Sequence, residues 1–260
     1  MQLFDTHAHL DQADFDADRP DVIARARAAG VENVVSIGTT AATSAVCARL
    51  AAEFDGVHAA VGMQPNYVAE AEPGDWDRIV ALASEPGVVA IGETGLDRHW
   101  DFTPFDVQQD YFDRHIRLAK ERGLPFVVHM RDCDDDILVM LREAHRRGLL
   151  LGVMHSFTGS RAMAEECLAM GLHISFAGMV TYKKSDELRA VAAMVPADCI
   201  LIETDAPYLS PEPVRKIKRN EPAHVHHTAA CLAEVRGVTL EMFAAQTTAN
   251  ARRLFLPTTA

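Results

Sequence analysis

The 260-residue chain has no apolar run near the ~18 residues that a membrane-spanning helix requires. Asp5 and His7 interrupt the N-terminus too early for the apolar stretch of a secretory signal. The expectation is a cytoplasmic protein with no membrane contact. Cysteine is scarce: Cys47, Cys133, Cys167, Cys199 and Cys231 are odd in number, scattered, and lack a Cys-x-x-Cys pair. That pattern fits free thiols in a reducing compartment, not a disulfide framework. Basic charge is also short, with 25 Lys and Arg against 37 Asp and Glu and a net charge of −12. A protein that coats nucleic acid through a broad basic surface is thereby excluded, although a small cationic groove is not. Linkers, low-complexity tracts and a coherent second domain are absent, so residues 1–260 are expected to form one domain.

What the chain does have is alternation. Short Val- and Ile-rich runs bounded by Gly or Pro fall at 2–5, 33–37, 58–61, 88–92, 125–129, 150–154, 173–177 and 199–203. They read as strands buried on both faces. Helical patterns lie between and after them, at 21–29, 42–54, 75–83, 106–122, 134–147, 161–170, 186–195, 226–236 and 240–254. Gly30, Gly123, Gly148 and Gly171 follow helical patterns just before strands, as C-terminal helix caps do. Eight strand–helix repeats in this length predict a (β/α)8 TIM barrel. An open doubly wound sheet is the alternative.

A barrel places its chemistry at the C-terminal ends of the strands. There the first strand carries His7 and His9, whose i, i+2 spacing puts both imidazoles on one face. The fourth leads into Glu93, the fifth ends in His129, the sixth in His155, and the eighth leads into Asp205. Any one of these alone reads as a core histidine or a turn former. Four imidazoles and two carboxylates at five strand ends read as metal ligands. Six protein ligands exceed what one tetrahedral zinc takes and suit two divalent ions sharing a carboxylate. Nitrogen and oxygen donors without thiolate admit Zn, Mn, Mg or Fe.

Several strings are longer than this pattern requires. They are Asp5-Thr6-His7-Ala8-His9-Leu10-Asp11, Ala90-Ile91-Gly92-Glu93-Thr94-Gly95-Leu96-Asp97, Val128-His129-Met130-Arg131 and His155-Ser156-Phe157-Thr158-Gly159. Glu203-Thr204-Asp205-Ala206-Pro207-Tyr208-Leu209, Arg219-Asn220-Glu221-Pro222-Ala223 and Thr248-Ala249-Asn250-Ala251-Arg252-Arg253-Leu254-Phe255 continue them. Through these strings the chain resembles the TatD family of metal-dependent deoxyribonucleases, amidohydrolase-like barrels, from Asp5 to Phe255. The resemblance implies one ion on His7, His9 and Asp205, a second on His129 and His155, and Glu93 bridging both. It also implies that Asp205 and Glu93 are catalytic, with Asp205 able to take the proton of the attacking water, and that DNA is cleaved exonucleolytically. The glutamate at 93, where other amidohydrolase barrels often carry a carboxylated lysine, favours this family over a dihydroorotase-like one. One stretch departs from the family: Gly62-Met63-Gln64-Pro65-Asn66 stands where Gly-x-His-Pro-His is usual. Amides donate hydrogen bonds there but cannot carry the proton of an imidazolium.

Phosphate needs positive partners. The richest basic run is Arg215, Lys216, Lys218 and Arg219, on the loop expected after the eighth strand. Tyr182, beside Lys183 and Lys184, follows the seventh, and Arg131 lies two residues past His129. These are the expected substrate-binding residues, with Tyr182 or Tyr208 stacking bases. Asp132, Asp134, Asp135 and Asp136 read as helix-opening acids. His224, His226 and His227 are not expected ligands, and Glu221 is expected to order its loop or a metal ligand. Other functions remain open: hydrolysis of another ester or amide, such as an aminoacyl-tRNA, or a metal-loaded barrel that binds nucleic acid or protein without turnover. A monomer is the expected state.

Overall fold

The computed structural model describes residues 1–257. Strands and helices alternate along the chain: β1 (Leu3–Ala8), α1 (Arg19–Ala28), β2 (Val31–Ile37), α2 (Ala41–Glu53), β3 (Val57–Val61), α3 (Asp75–Leu82), β4 (Val88–Asp97) and α4 (Phe105–Arg122). Then follow β5 (Phe126–Arg131), α5 (Asp134–His145), β6 (Gly152–Met154), α6 (Arg161–Ala169), β7 (Leu172–Phe176), α7 (Asp186–Met194), β8 (Ile200–Ile202), α8 (Val225–Val235) and α9 (Leu240–Phe255). All strand pairs are parallel and the sheet order is β1 to β8. The ends meet at a bridge between Ala8 and Ala206. Asp205 N–H donates to the His7 carbonyl at 2.8 Å, and His9 N–H to the Ala206 carbonyl at 2.7 Å. Buried Asp5 tightens this seam, taking the Thr204 N–H at 2.9 Å and facing the Thr204 hydroxyl at 2.5 Å. The fold is the expected (β/α)8 barrel.

Local sequence explains most boundaries. Thr40, Ser160 and Thr239 cap the starts of α2, α6 and α9 through side-chain oxygens. Gly30, Gly123, Gly148 and Gly171 take positive φ of 88°, 66°, 126° and 101° just past helical segments, as their spacing predicts. The largest departure is β4, which runs to Asp97 instead of ending at Gly92. Gly95 continues the strand because it allows a close approach. A Cβ at Gly95 would lie 2.0 Å from the His129 carbonyl oxygen of β5. Glu93 therefore sits within a strand and not just after one.

Most of the core lies between barrel and helices. A second cluster joins Phe4, Ile37, Ala60, Val127, Val153 and Leu201, from six different strands. Residues from so many strands meet only inside the barrel. Ala251, Leu254 and Phe255 of α9 join this cluster, with Phe255 stacked on Phe4 at 6.1 Å. The end of α9 thus plugs the barrel floor and leaves the opposite mouth for chemistry.

Candidate metal centre

At the mouth, β1 supplies His7 and leads directly to His9. β4 supplies Glu93 and β5 His129, while His155 and Asp205 sit just beyond β6 and β8. All six are brought together. His7 Nε2 and His9 Nε2 lie 3.3 Å apart. Asp205 Oδ1 is 3.7 Å from the first and 3.4 Å from the second. Glu93 Oε2 is 3.6 Å and 3.9 Å from the same two nitrogens. Its other oxygen, Oε1, is 2.8 Å from His129 Nδ1 and 3.3 Å from His155 Nε2. Glu93 thus faces two histidine pairs with different oxygens.

Two sets of donor atoms converge closely enough to hold an ion: His7, His9 and Asp205, and His7, Glu93 and His155. The edge of a tetrahedron with metal–ligand distances of ~2.1 Å is about 3.4 Å. Contacts of 3.3 to 3.7 Å among His7, His9 and Asp205 match that edge. Tautomers agree with this fit. His9 Nδ1 faces the Ile37 carbonyl at 3.1 Å, and a carbonyl only accepts, so Nδ1 carries the hydrogen. The lone pair of neutral His9 then lies on Nε2, toward the cluster. The donor set suits a divalent cation.

Electrostatics point the same way. Burial works against charge on Glu93, yet the surrounding imidazoles, His155 foremost, hold its carboxyl well below the usual range. Burial likewise opposes charge on His9, but Asp205 and Glu93 raise it to about 9. His7 goes the other way: burial, then neighbouring His155, keeps it well below an ordinary imidazole. The pocket therefore favours added positive charge, and the Glu93 carboxylate stays ionised to receive it.

Two further carboxylates belong to the centre, and sequence reasoning gave neither a role. Asp97 Oδ2 lies 2.9 Å from His129 Nε2 and takes the Asn66 side-chain amide at 3.0 Å. Burial opposes its charge, but His129 and Asn66 bring it down to about 2. Glu203, fully buried, faces His155 Nδ1 at 3.3 Å and accepts the Ser156 N–H at 2.7 Å. Carboxylates behind imidazoles fix which ring nitrogen faces the ion and make it a stronger donor. The i, i+2 relation of Glu203 to Asp205, the same as that of His7 to His9, was the available signal.

The cluster opens into a cavity of about 680 Å³ whose wall includes Thr39, Gln64, Asn66, Tyr67, Trp100 and Tyr208. Of the six predicted substrate-binding residues, only Arg131 lines it. Arg215 stacks over the Tyr182 ring at 3.9 Å, and the Tyr182 hydroxyl donates to the Ser210 carbonyl. Lys216 and Lys218 are exposed on the same loop. Arg219 grips Asp18 with two bonds of 2.7 and 2.8 Å, fastening the loop to the segment before α1. Glu221 pairs with Arg25 of α1 at 2.8 Å, in keeping with loop ordering. Gln64 and Asn66 occupy the cavity wall, and Gln64 Oε1 is held by the Asn66 N–H at 2.8 Å.

A model of the TatD related DNase family matches residues 4–256. The chain belongs to this family. It is 42% identical to the metal-dependent hydrolase YabD of Bacillus subtilis, over 97% of this chain and 98% of that one. It is 38% identical to the 3'-5' ssDNA/RNA exonuclease TatD of Klebsiella pneumoniae, over 97% of each. The crystal structure of the TatD homologue YjjV from Escherichia coli superposes with a TM-score of 0.90 at 30% identity, over 97% of each chain. As a family member the protein is a metal-dependent hydrolase acting on ester bonds. No helix among the described residues is long and apolar enough to cross a membrane.

Proposed function

We propose that this barrel, acting as one domain, is a divalent-metal-dependent phosphodiesterase that removes nucleotides from DNA ends. The observation that carries the reading is the convergence of six nitrogen and oxygen donors from five strands on one cavity. His7, His9 and Asp205 would hold one ion, His129 and His155 a second, with Glu93 between them. Two such ions supply an activated water and neutralise charge on the phosphoryl group. Asp205 turns Oδ1 to the His7 and His9 imidazoles, so that Oδ2 would be the atom to take a proton from an attacking water. Gln64, with Oε1 held by a backbone amide, offers Nε2–H to a phosphoryl oxygen. Arg131 adds positive charge to the cavity wall, where it is the one Lys or Arg among the lining residues.

The test is incubation with labelled single- and double-stranded DNA, with chelator and with metal added back, for wild type and Asp205→Asn. Metal-restored ladders of short products from wild type only are expected, with the variant folded by circular dichroism. Most activity surviving in Asp205→Asn would overturn the role of Asp205. Cleavage of an aminoacyl ester without DNA cleavage would move the same site to another ester substrate, and binding without products would remove turnover.

A further inference from the structure

We propose that Trp100 and Phe102 form a stacking platform for the nucleobase beside the scissile phosphodiester, with Arg131 holding the backbone next to it. The proposal rests on the nucleic-acid reading above and names the part of the site that recognises the base. The chain has only two tryptophans. Trp76 packs edge-on against Tyr111 and His115 at 6.0 and 5.0 Å. Trp100 is 44% exposed and lines the same cavity as Glu93 and His129. Phe102, 61% exposed, lies nearly parallel to it, with centroids 5.3 Å apart and planes 7° apart. Two large rings held in water forgo the burial that usually stabilises such residues. A third flat ring added to the stack recovers it.

The platform is held rigidly and in register with the metal ligands. One carboxylate does both. Asp97 Oδ2 holds His129, while Asp97 Oδ1 accepts the His99 and Trp100 backbone N–H groups at 2.8 and 3.1 Å. Arg98 N–H donates to the Arg131 carbonyl at 2.9 Å, and the Arg98 side chain binds Asp136 at 2.7 Å while lying 3.6 Å over the Phe105 ring. Further along, Gln108 Nε2 donates to the Thr103 carbonyl at 3.1 Å. A loop fixed at both ends loses little freedom on binding. Arg131 places its guanidinium 5.8 Å from the Trp100 centroid and has no carboxylate partner among the described residues. Parallel rings beside an uncommitted cation suit a flat base carrying a phosphate. Stacking of this kind tolerates any base but needs its face free, so the platform selects single-stranded ends.

The test uses the full chain in chelator, where DNA is bound without being cut, and reads tryptophan fluorescence for wild type and the anisotropy of end-labelled strands for every variant. A short oligothymidylate is compared with an abasic strand of equal length. The expected result is quenching by the oligothymidylate only, and about tenfold weaker binding of the abasic strand. Trp100→Ala and Phe102→Ala should remove this preference, binding both strands alike with unchanged circular dichroism. In the metal-loaded enzyme the same variants should raise KM for the oligothymidylate about tenfold, with a smaller effect on kcat. Wild-type affinity for oligothymidylate in Trp100→Ala, equal quenching by both strands, or no binding by wild type overturns the platform. The two readings fail separately. Base-dependent binding without metal-restored hydrolysis keeps the platform and removes the nuclease. Hydrolysis that ignores both substitutions does the reverse.

Discussion

Replacing Asp97 by Asn should cripple one metal position without harming the fold. Asp97 takes four donors. Oδ1 receives the N–H groups of His99 and Trp100, and Oδ2 receives Asn66 and His129 Nε2. In Asp97→Asn the amide oxygen keeps the two backbone donors, and the new NH2 faces Asn66 and His129. Asn66 accommodates this by turning its own amide, because its Oδ1 is buried without a partner and gains one. His129 has a worse choice. To meet a donor, Nε2 must accept, which moves the ring proton to Nδ1, the atom 2.8 Å from Glu93 and facing the centre. A protonated Nδ1 has no lone pair for an ion. Loss of such an outer carboxylate costs about 10–100-fold in metal affinity or activity. Calorimetric titration of zinc or manganese into chelator-stripped protein should show two equivalents in wild type and a weakening of that size in one equivalent of Asp97→Asn. Thermal unfolding without metal should change little. Two equivalents at wild-type affinity in the variant would refute the tautomer argument.

His115 offers a prediction about pH. On α4, its Nδ1 donates to the Tyr111 carbonyl at 2.6 Å and its Nε2 accepts the Met63 N–H at 3.0 Å, a pattern only the neutral ring satisfies. Burial pushes it down to about 4 from 6.5. The unfolded chain therefore binds a proton more readily than the folded one, so this contribution is full above pH 6.5 and is lost as pH falls toward 4. In urea unfolding with chelator, wild type should lose about 2 kcal/mol more than His115→Phe between pH 7.5 and pH 5, and equal losses would count against it. At pH 7.5 that variant should be less stable by about 1–3 kcal/mol, since the buried Met63 N–H is left unpaired. Within the basic loop, Lys216→Ala with Lys218→Ala should flatten the salt dependence of DNA binding, while Arg219→Ala should instead lower the unfolding temperature by freeing the loop from Asp18. Reversed phenotypes would exchange their roles.

The strand ends were legible because the six donor residues stand out by type and not by periodicity. Any one of them alone has other readings, as a core histidine or a turn former, but donors at five strand ends of a barrel-length chain reinforce one another. Their supporting carboxylates were not legible on the same terms. Asp97 and Glu203 are two among 37 acids, and only the fold shows that each faces a histidine from another strand. The basic loop shows a related limit, since which of its charges are tied down is not written near it in the chain. Arg215–Arg219 reads as a cationic run, but the partner that occupies Arg219 lies 201 residues earlier. Strand length was not legible at β4, which continues past Gly92 to Asp97 because Gly95 allows the close approach of β5.

The strained backbone of this chain collects at one end of the barrel. The non-glycine residues with positive φ, Asp132, Ser156, Asp205 and Leu209, follow β5, β6 and β8 at the mouth. Each such conformation costs of order 1 kcal/mol. The same end buries the partnerless His7 Nδ1 and Glu203 Oε2. The floor is tied together by other contacts, although both ring nitrogens of His173, the second residue of β7, are also buried there without a partner. Phe4 and Phe255 stack, Asn250 Nδ2 donates to the Ala197 and Ile200 carbonyls at 2.7 and 2.9 Å, and Thr248 donates to the Gln2 carbonyl at 3.0 Å. The string from Thr248 to Phe255 contains no metal ligand, yet it belongs with the site physically: a floor stitched to β1 and β8 fixes the two strands whose upper ends carry His7, His9 and Asp205.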